Sequence, residues 1–372
     1  MKSITYNTFA IQWWKQAIKF SKPHVQRPPA CLEDELDALQ MARNSTWSKH
    51  YEHEFKGLFL DWLDNKMKHI TFFDSMHETL YCLCKVLDIW KWDKILAFRW
   101  VGEYLDDLSK LLWVTIEYLW FNEETWEILY DEVSIPEYRL CIIGSLWWTP
   151  PPQELVNQCR AWWVLVVEDW TQCHGVVVQW ARWWTLWDVG VIPLWYGNMV
   201  FSGWWTCVVT NDTLLFDCLQ SWKKSDERSV VYLGSYSDWK QSSYHSIIGK
   251  YSLRHRNRVV NGSEQCFSYF RKRLESICYL TPLKEPLSDQ SQSVSYRYRY
   301  IVIFDSTKLR WTDPQTVLNL LQAEWMIIQR VEIDWSNMVY FQLPSFYDRY
   351  DHKHCIDQYI AAFRKVQINL FC

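Results

Sequence analysis

Apolar residues in FKGLFLDWLDNKM fall at Phe55, Leu58, Phe59, Trp62, Leu63 and Met67, a spacing of three and four that predicts a helix with one buried face. The same spacing through Phe98, Val101, Leu105, Leu108, Leu112 and Tyr118 predicts a longer helix from Asp93 to about Phe121, with Asp106, Asp107 and Lys110 toward solvent. Residues 1–135 are thus expected to form a helical domain. From 136 to 239 the pattern changes to short apolar runs, RLCIIGSLWW, AWWVLVV, GVVVQWARWW, TCVVT and SVVYLG, broken by Pro, Gly, Asn and Asp. Such runs predict the strands of an antiparallel sheet.

Residues 240–294 read as a basic, polar connector that ends in the linker-like TPLKEPLSDQSQSVS. Residues 295–372 carry clearer punctuation. YRYRYIVIF alternates as a strand, Thr312-Asp313-Pro314 supplies a helix start, and VLNLLQAEWMII is the helix. RVEIDW and MVYFQL flank a Ser336-Asn337 turn, IDQYIAAFRKV is a second helix and QINLF a closing strand. The order β-α-β-β-α-β is ferredoxin-like. The expected fold class is therefore α+β: a helical N-terminal domain, a Trp-rich antiparallel β middle and a C-terminal ferredoxin-like domain.

Three Trp pairs, Trp162-Trp163, Trp183-Trp184 and Trp204-Trp205, punctuate the middle segment at an even spacing of 21 residues. Neighbouring strand residues point to opposite faces, so each pair is expected to put one indole into the core and the other outward. The outward indoles need a cover, either a neighbouring domain or a protein partner, and these six residues are the candidate partner surface. The uncharged run from Val189 to Thr210 has the length of a membrane span, but Gly190, Pro193, Gly197, Asn198 and Gly203 interrupt it and no membrane segment is expected.

Composition adds an imbalance. The chain has 27 Trp and only 10 Gly in 372 residues, with a net charge of −4. Glycine-dependent phosphate loops, G-x-G-x-x-G and G-x-x-x-x-G-K-[ST], are absent, as is G-x-S-x-G, so no common nucleotide-binding or hydrolase motif is present and no catalytic residue or cofactor is expected. In 348-DRYDHKHC-355, His352, His354 and Cys355 are a weak metal candidate, because a structural zinc site needs four ligands converging from spaced pairs. Between 240 and 300 eleven basic residues face four acidic ones, and Arg254, Arg256, Arg258, Arg271, Lys272, Arg273, Arg297 and Arg299 alternate with aromatic residues. Positive charge attracts phosphate and aromatic faces stack on unpaired bases, so this stretch is a candidate site for RNA or single-stranded DNA.

A Trp-rich, Gly-poor chain with Trp-Trp pairs, no catalytic signature and a basic carboxyl half resembles the Bet-type accessory proteins of foamy viruses. The resemblance implies a non-enzymatic accessory protein engaged in host-virus interaction, cytoplasmic, with the nucleus as a second location. Its implied partners are host proteins, antiviral cytidine deaminases among them; the basic stretch offers nucleic acid as the alternative partner, and the interrupted apolar run leaves no membrane partner expected.

Overall fold

The computed structural model describes residues 40, 48–98, 104–121, 128–130, 133–144, 152–171, 174, 177–178, 181–182, 188–195, 198–203, 205–224, 243–282, 299–305, 307–308, 313–323, 328–330, 338–342 and 352–371. The chain divides into two compact units, one holding Cys31–Arg256 and the other Asn257–Glu285 with Tyr296–Cys372.

The larger unit opens with α1 (Ser48–Trp62), β1 (His69–Phe73), α2 (Met76–Val86), β2 (Lys94–Phe98), α3 (Tyr104–Leu112), β3 (Thr115–Phe121) and β4 (Ile128–Leu129). It continues through β5 (Tyr138–Gly144), α4 (Gln153–Ala161), β6 (Leu165–Asp169), the small hairpin β7 (Val177–Val178) and β8 (Ala181–Arg182), β9 (Val189–Pro193), β10 (Thr206–Thr210), α5 (Thr213–Lys224) and α6 (Ser243–Arg254). Eight strands form one sheet in the order β1-β10-β9-β6-β5-β2-β3-β4. From β9 through β3 neighbouring strands are parallel, while β10 runs antiparallel to both β1 and β9. β1 therefore points the same way as β9, and the carboxyl ends of β1, β9, β6, β5, β2 and β3 share one edge.

Parallel strands covered on both faces read as continuous apolar runs, which is how β5 (YRLCIIG) and β9 (VGVIP) read. Their crossovers are α3 between β2 and β3 and α4 between β5 and β6. Helix α1 packs on α6 at Gly249, where an added Cβ would lie 2.4 Å from the Phe55 ring, so glycine permits that approach. Among the described residues no helix is long and apolar enough to cross a membrane.

In the smaller unit, α7 (Arg256–Leu274) leads to β11 (Leu280–Pro282), β12 (Arg299–Phe304), α8 (Pro314–Ala323), β13 (Ile328–Arg330), β14 (Met338–Gln342) and α9 (His352–Phe371). The four strands form an antiparallel sheet, β11-β12-β14-β13. Its core joins Phe270, Tyr279, Tyr300, Phe304, Leu321, Tyr359 and Phe363.

The expected fold class is overturned in each part. The single helix expected over Asp93–Phe121 is a strand, a helix and a strand, because KILAF and TIEYLWF carry apolar residues at positions that satisfy both periods. The middle is not a Trp-rich antiparallel sheet: β5, β6 and β9 are parallel, and α4 ends at Ala161, the first residue of AWWVLVV. The terminal arrangement is not ferredoxin-like, since QINLF finishes the 20-residue helix α9 and the edge strand beside β12 is β11, which precedes it in the chain. Within the basic stretch lie α6 and α7.

Candidate functional site

In an open α/β sheet ligands bind outside the carboxyl ends of the strands, at the point where the strand order reverses. Here β3 lies to one side of β2, and β5, β6 and β9 follow on the other, so the reversal falls between β2 and β5. Tyr104 starts the helix that follows β2, and Asp169 ends β6, the neighbour of β5. The Tyr104 hydroxyl donates to Asp169 Oδ2. Asp169 Oδ1 accepts the Thr171 hydroxyl and, at 2.8 Å, the Thr171 N–H. Both partners are buried. Burial pushes the Asp169 carboxyl up despite its donors, and burial together with the nearby carboxylate pushes the Tyr104 phenol well above its ordinary value. A buried acid and phenol displaced in this direction favour their protonated forms.

Beyond β9, residues 194–195, 198–203 and 205 lie at the same edge. Asn198 Nδ2 donates to the Pro193 carbonyl at 2.8 Å, and Leu194 N–H donates to the Trp205 carbonyl at 2.7 Å. Helix α6 pins these residues: Ser202 Oγ donates to the His245 carbonyl at 2.7 Å and Phe201 N–H donates to Ser252 Oγ at 2.9 Å. Gly203 has φ +83°, and a side chain there would also meet the His245 ring at 2.5 Å, so the backbone there depends on glycine. His174 lies buried near Pro193, with neither ring nitrogen in a hydrogen bond of normal geometry. Burial outweighs the Pro193 carbonyl and pushes its pKa down to about 3, so the imidazole is neutral.

At the start of α2, on the same edge, Ser75 Oγ accepts the Glu78 N–H at 3.2 Å, while the Glu78 carboxylate accepts the Asp74 N–H at 3.0 Å. This reciprocal cap satisfies amides that would otherwise be open. Asp74 also faces His245, whose pKa burial lowers and Asp74 partly restores.

The residues singled out from sequence lie elsewhere. Trp162 and Trp163 close α4 at the opposite, amino edge of the sheet and are both exposed, 59% and 95%, so they do not divide between core and surface as strand neighbours would. Trp205 is buried ahead of β10 and packs at 5.4 Å from the His245 ring. Trp183, Trp184, Trp204 and Arg297 lie outside the described residues. Arg254 ends α6 beside the Tyr251 ring, and Arg256, Arg258, Arg271, Lys272 and Arg273 lie along α7, where Arg273 pairs with Asp357 at 2.9 Å. Arg299 starts β12, and His352, His354 and Cys355 fall in the first turn of α9. Among the described residues no three potential ligands gather around a metal position. Tyr104, Asp169, Asn198 and Glu78 were missed; the one signal for them was VVED, a strand ending in two carboxylates.

No family model matches the chain, and no curated protein matches it by sequence. Solved structures do match it in shape. Helicobacter pylori PseC, an aminotransferase involved in the biosynthesis of pseudoaminic acid, is similar with a TM-score of 0.74 over 94% of this chain and 100% of its own, at 13% identity. DesI, solved in the presence of its TDP-sugar product, is similar with a TM-score of 0.75 over 97% and 98%, at 14% identity. A GDP-4-keto-6-deoxymannose-3-dehydratase with a trapped PLP-glutamate geminal diamine is similar with a TM-score of 0.71 over 90% and 99%, at 12% identity. The kinship with foamy-virus Bet-type accessory proteins is thereby overturned, since the fold is shared almost end to end with enzymes. With it fall the non-enzymatic reading, host-protein partners such as antiviral cytidine deaminases, and the alternative of an RNA or single-stranded DNA binder. What the likeness establishes is the fold, that of sugar aminotransferases and a related dehydratase.

Proposed function

We propose that the chain is an enzyme of sugar biosynthesis that binds a sugar at the carboxyl edge of the eight-stranded sheet and moves protons on it. The observation that carries this reading is the buried Tyr104–Asp169 pair at the strand-order reversal. The likeness in fold to sugar-modifying enzymes supports the substrate class. A phenol hydrogen-bonded to a buried carboxyl can give its proton to a sugar oxygen, and the carboxyl can accept one from a neighbouring carbon, which suits isomerisation or loss of water. Thr171 fixes the orientation of Asp169, and Tyr104 donates to its other oxygen.

Pyridoxal phosphate, present in solved neighbours, fits this chain poorly. That cofactor is held by a lysine amine, an acid at its ring nitrogen and anion-binding amides at its phosphate. Asp169 could supply the acid. No lysine occurs between Lys110 and Lys223, and none in residues 74–75 or 99–103, so the loops at this edge carry no amine. On α6, Lys250 is committed to Glu54 at 2.7 Å. Lys223, on α5, reaches the carboxyl end of β1, where its Nζ donates to the Phe72 carbonyl at 2.6 Å. Amino transfer through a lysine-held cofactor therefore lacks a loop lysine as its anchor at this edge.

The reading is tested by thermal shift and calorimetry with TDP- and GDP-linked sugars beside the same sugars unlinked, followed by mass spectrometry of incubated substrate. A saturable shift and a product either unchanged in mass or lighter by one water are expected. No binding by any sugar of either kind would sink the reading.

A further inference from the structure

We propose that His174 and Asn198 form a buried subsite that binds one hydroxyl group of the ligand at the carboxyl edge of the sheet. The inference deepens the proposed function by naming side chains that read the sugar. It rests on that reading for the sugar and on geometry for the hydroxyl.

His174 follows β6, which ends at Asp169, and Asn198 follows β9, which ends at Pro193. The two strands are parallel neighbours with Asp169 opposite Val191, so both residues leave the sheet beside the acid of the Tyr104 pair. They meet at one atom. Asn198 Nδ2 donates to the Pro193 carbonyl at 2.8 Å, and the His174 ring lies near the same carbonyl without a hydrogen bond of normal geometry.

His174 is 2% exposed and Asn198 4%, yet Nδ1 and Nε2 of the imidazole and Oδ1 of the amide have no partner. Buried polar atoms are nearly always satisfied, and leaving them open is costly. Three open atoms beside one carbonyl therefore mark a place where a polar group binds. Two more border the same end of the sheet: Thr206 Oγ1, opposite Pro193 in the register of β9 with β10, and Ser246 Oγ on α6, next to the His245 that packs on Trp205.

The open atoms select the group. Burial keeps the imidazole neutral, so it offers one N–H and one lone-pair nitrogen, while Asn198 Oδ1 only accepts. A hydroxyl fits both, accepting from the ring N–H and donating to the amide oxygen. A phosphate or carboxylate would face that amide oxygen in a buried place where neither residue is bonded to a charged side chain among the described residues. Side chains this deep are reached by a single hydroxyl rather than by a ring. Water carries the same donor and acceptor, so the test separates the two sources.

The experiment is NMR of the full chain labelled at histidine, with the His174 imidazole signal identified by its loss in His174→Gln. Glucose, TDP-glucose and inorganic phosphate are titrated in turn. Either sugar should move that signal saturably, and phosphate should not. Deoxy analogues of the sugar that binds, each lacking one hydroxyl, are then compared by calorimetry. One analogue should bind wild type about five- to tenfold more weakly than its parent, while His174→Phe binds the two alike. Asn198→Leu should behave as His174→Phe does, and either variant serves if the other does not fold. A sugar that binds without moving the His174 signal would mean that water alone fills the subsite, overturning the inference and leaving the proposed function intact. Phosphate moving the signal in place of the sugars would overturn the inference as well. Glucose that moves it, with no product from any linked sugar, would uphold the subsite and count against the proposed function. No response to any sugar would overturn both.

Discussion

The hydroxyl of Tyr104 donates to Oδ2 of Asp169, joining two residues 65 positions apart from either side of β5. Tyr104→Phe removes the donor and keeps the ring, leaving a buried carboxyl oxygen short of a partner. The expected loss is roughly 1–3 kcal/mol of stability, read from the shift in urea midpoint. Turnover of the sugar should fall further than its binding, because the variant loses the phenol that gives the proton. A variant as stable and as active as wild type would show that the contact contributes to neither.

His174 gives a prediction about acid. Its folded pKa is about 3 against an ordinary 6.5, a depressed value, so its contribution to stability is fully present above the unfolded pKa and is lost as pH falls toward the folded one. Between about pH 7 and pH 5 the unfolded chain takes up a proton that the folded chain refuses, a loss of about 2 kcal/mol. His174→Gln should abolish that part of the slope. Asp169, raised by burial, has the opposite sign and is common to both proteins. Chemical denaturation at several pH values, wild type against variant, isolates the histidine. Parallel curves would mean that the imidazole becomes charged within the fold.

The Lys250–Glu54 pair ties α6 to α1 at 2.7 Å, with the lysine mostly buried and the glutamate about a third exposed. The hydrogen bond to Lys250 is the main reason the Glu54 carboxyl lies below its usual value, and burial opposes it. A carboxyl depressed in this way stabilises the fold above its unfolded pKa and ceases to as pH falls through the folded one. Lys250→Met leaves Glu54 with a less compensated charge and should cost about 2 kcal/mol, less than a fully buried pair because solvent reaches Glu54. The double variant Lys250→Met/Glu54→Leu should recover much of the loss. An additive double variant would show that the pair is not coupled.

Some of the molecule was legible before the fold was known. Phe55, Phe59 and Trp62 are buried on α1 as the helical spacing required, though the helix ends there, Leu63 and Met67 are buried beyond it and Leu58 is only half-buried; RYIVIF and the helix started by Pro314 stand where their local patterns put them. The main sheet was not legible, for a physical reason. A parallel strand buried on both faces has no alternation to display, and α4 shows only Leu155, Val156 and Cys159 to the core. VVED could be read as a strand that ends in acids. That Tyr104 would reach Asp169 could not, because the contact is made by the order of strands and not by any spacing along the chain.

The tryptophan surplus acquires a structural meaning at the amino edge of the sheet. Trp163 has φ 59° and follows the Trp162 cap of α4; the Trp163 N–H donates to the Arg160 carbonyl at 3.1 Å and the Val164 N–H to the Cys159 carbonyl at 2.9 Å. That pair of bonds is the Schellman ending, whose left-handed residue is usually glycine. Asp64 and Asp88 hold the equivalent position after α1 and α2, and both are residue types that tolerate it. Trp92 and Trp113 are also left-handed, at φ 81° and 59°, and both are exposed. Tryptophan thus stands where the backbone asks for glycine, in a chain with 27 of the one and 10 of the other. A Cβ in this conformation costs about 1 kcal/mol, and a 95% exposed indole has little burial to offset it. Trp163→Gly should therefore raise stability by about 0.5 kcal/mol once the added freedom of the unfolded chain is set against the strain relieved, with Trp113→Gly behaving alike. Urea unfolding of the two variants decides it, and a fall in midpoint for both would show that the exposed indoles are held by contacts worth more than the strain.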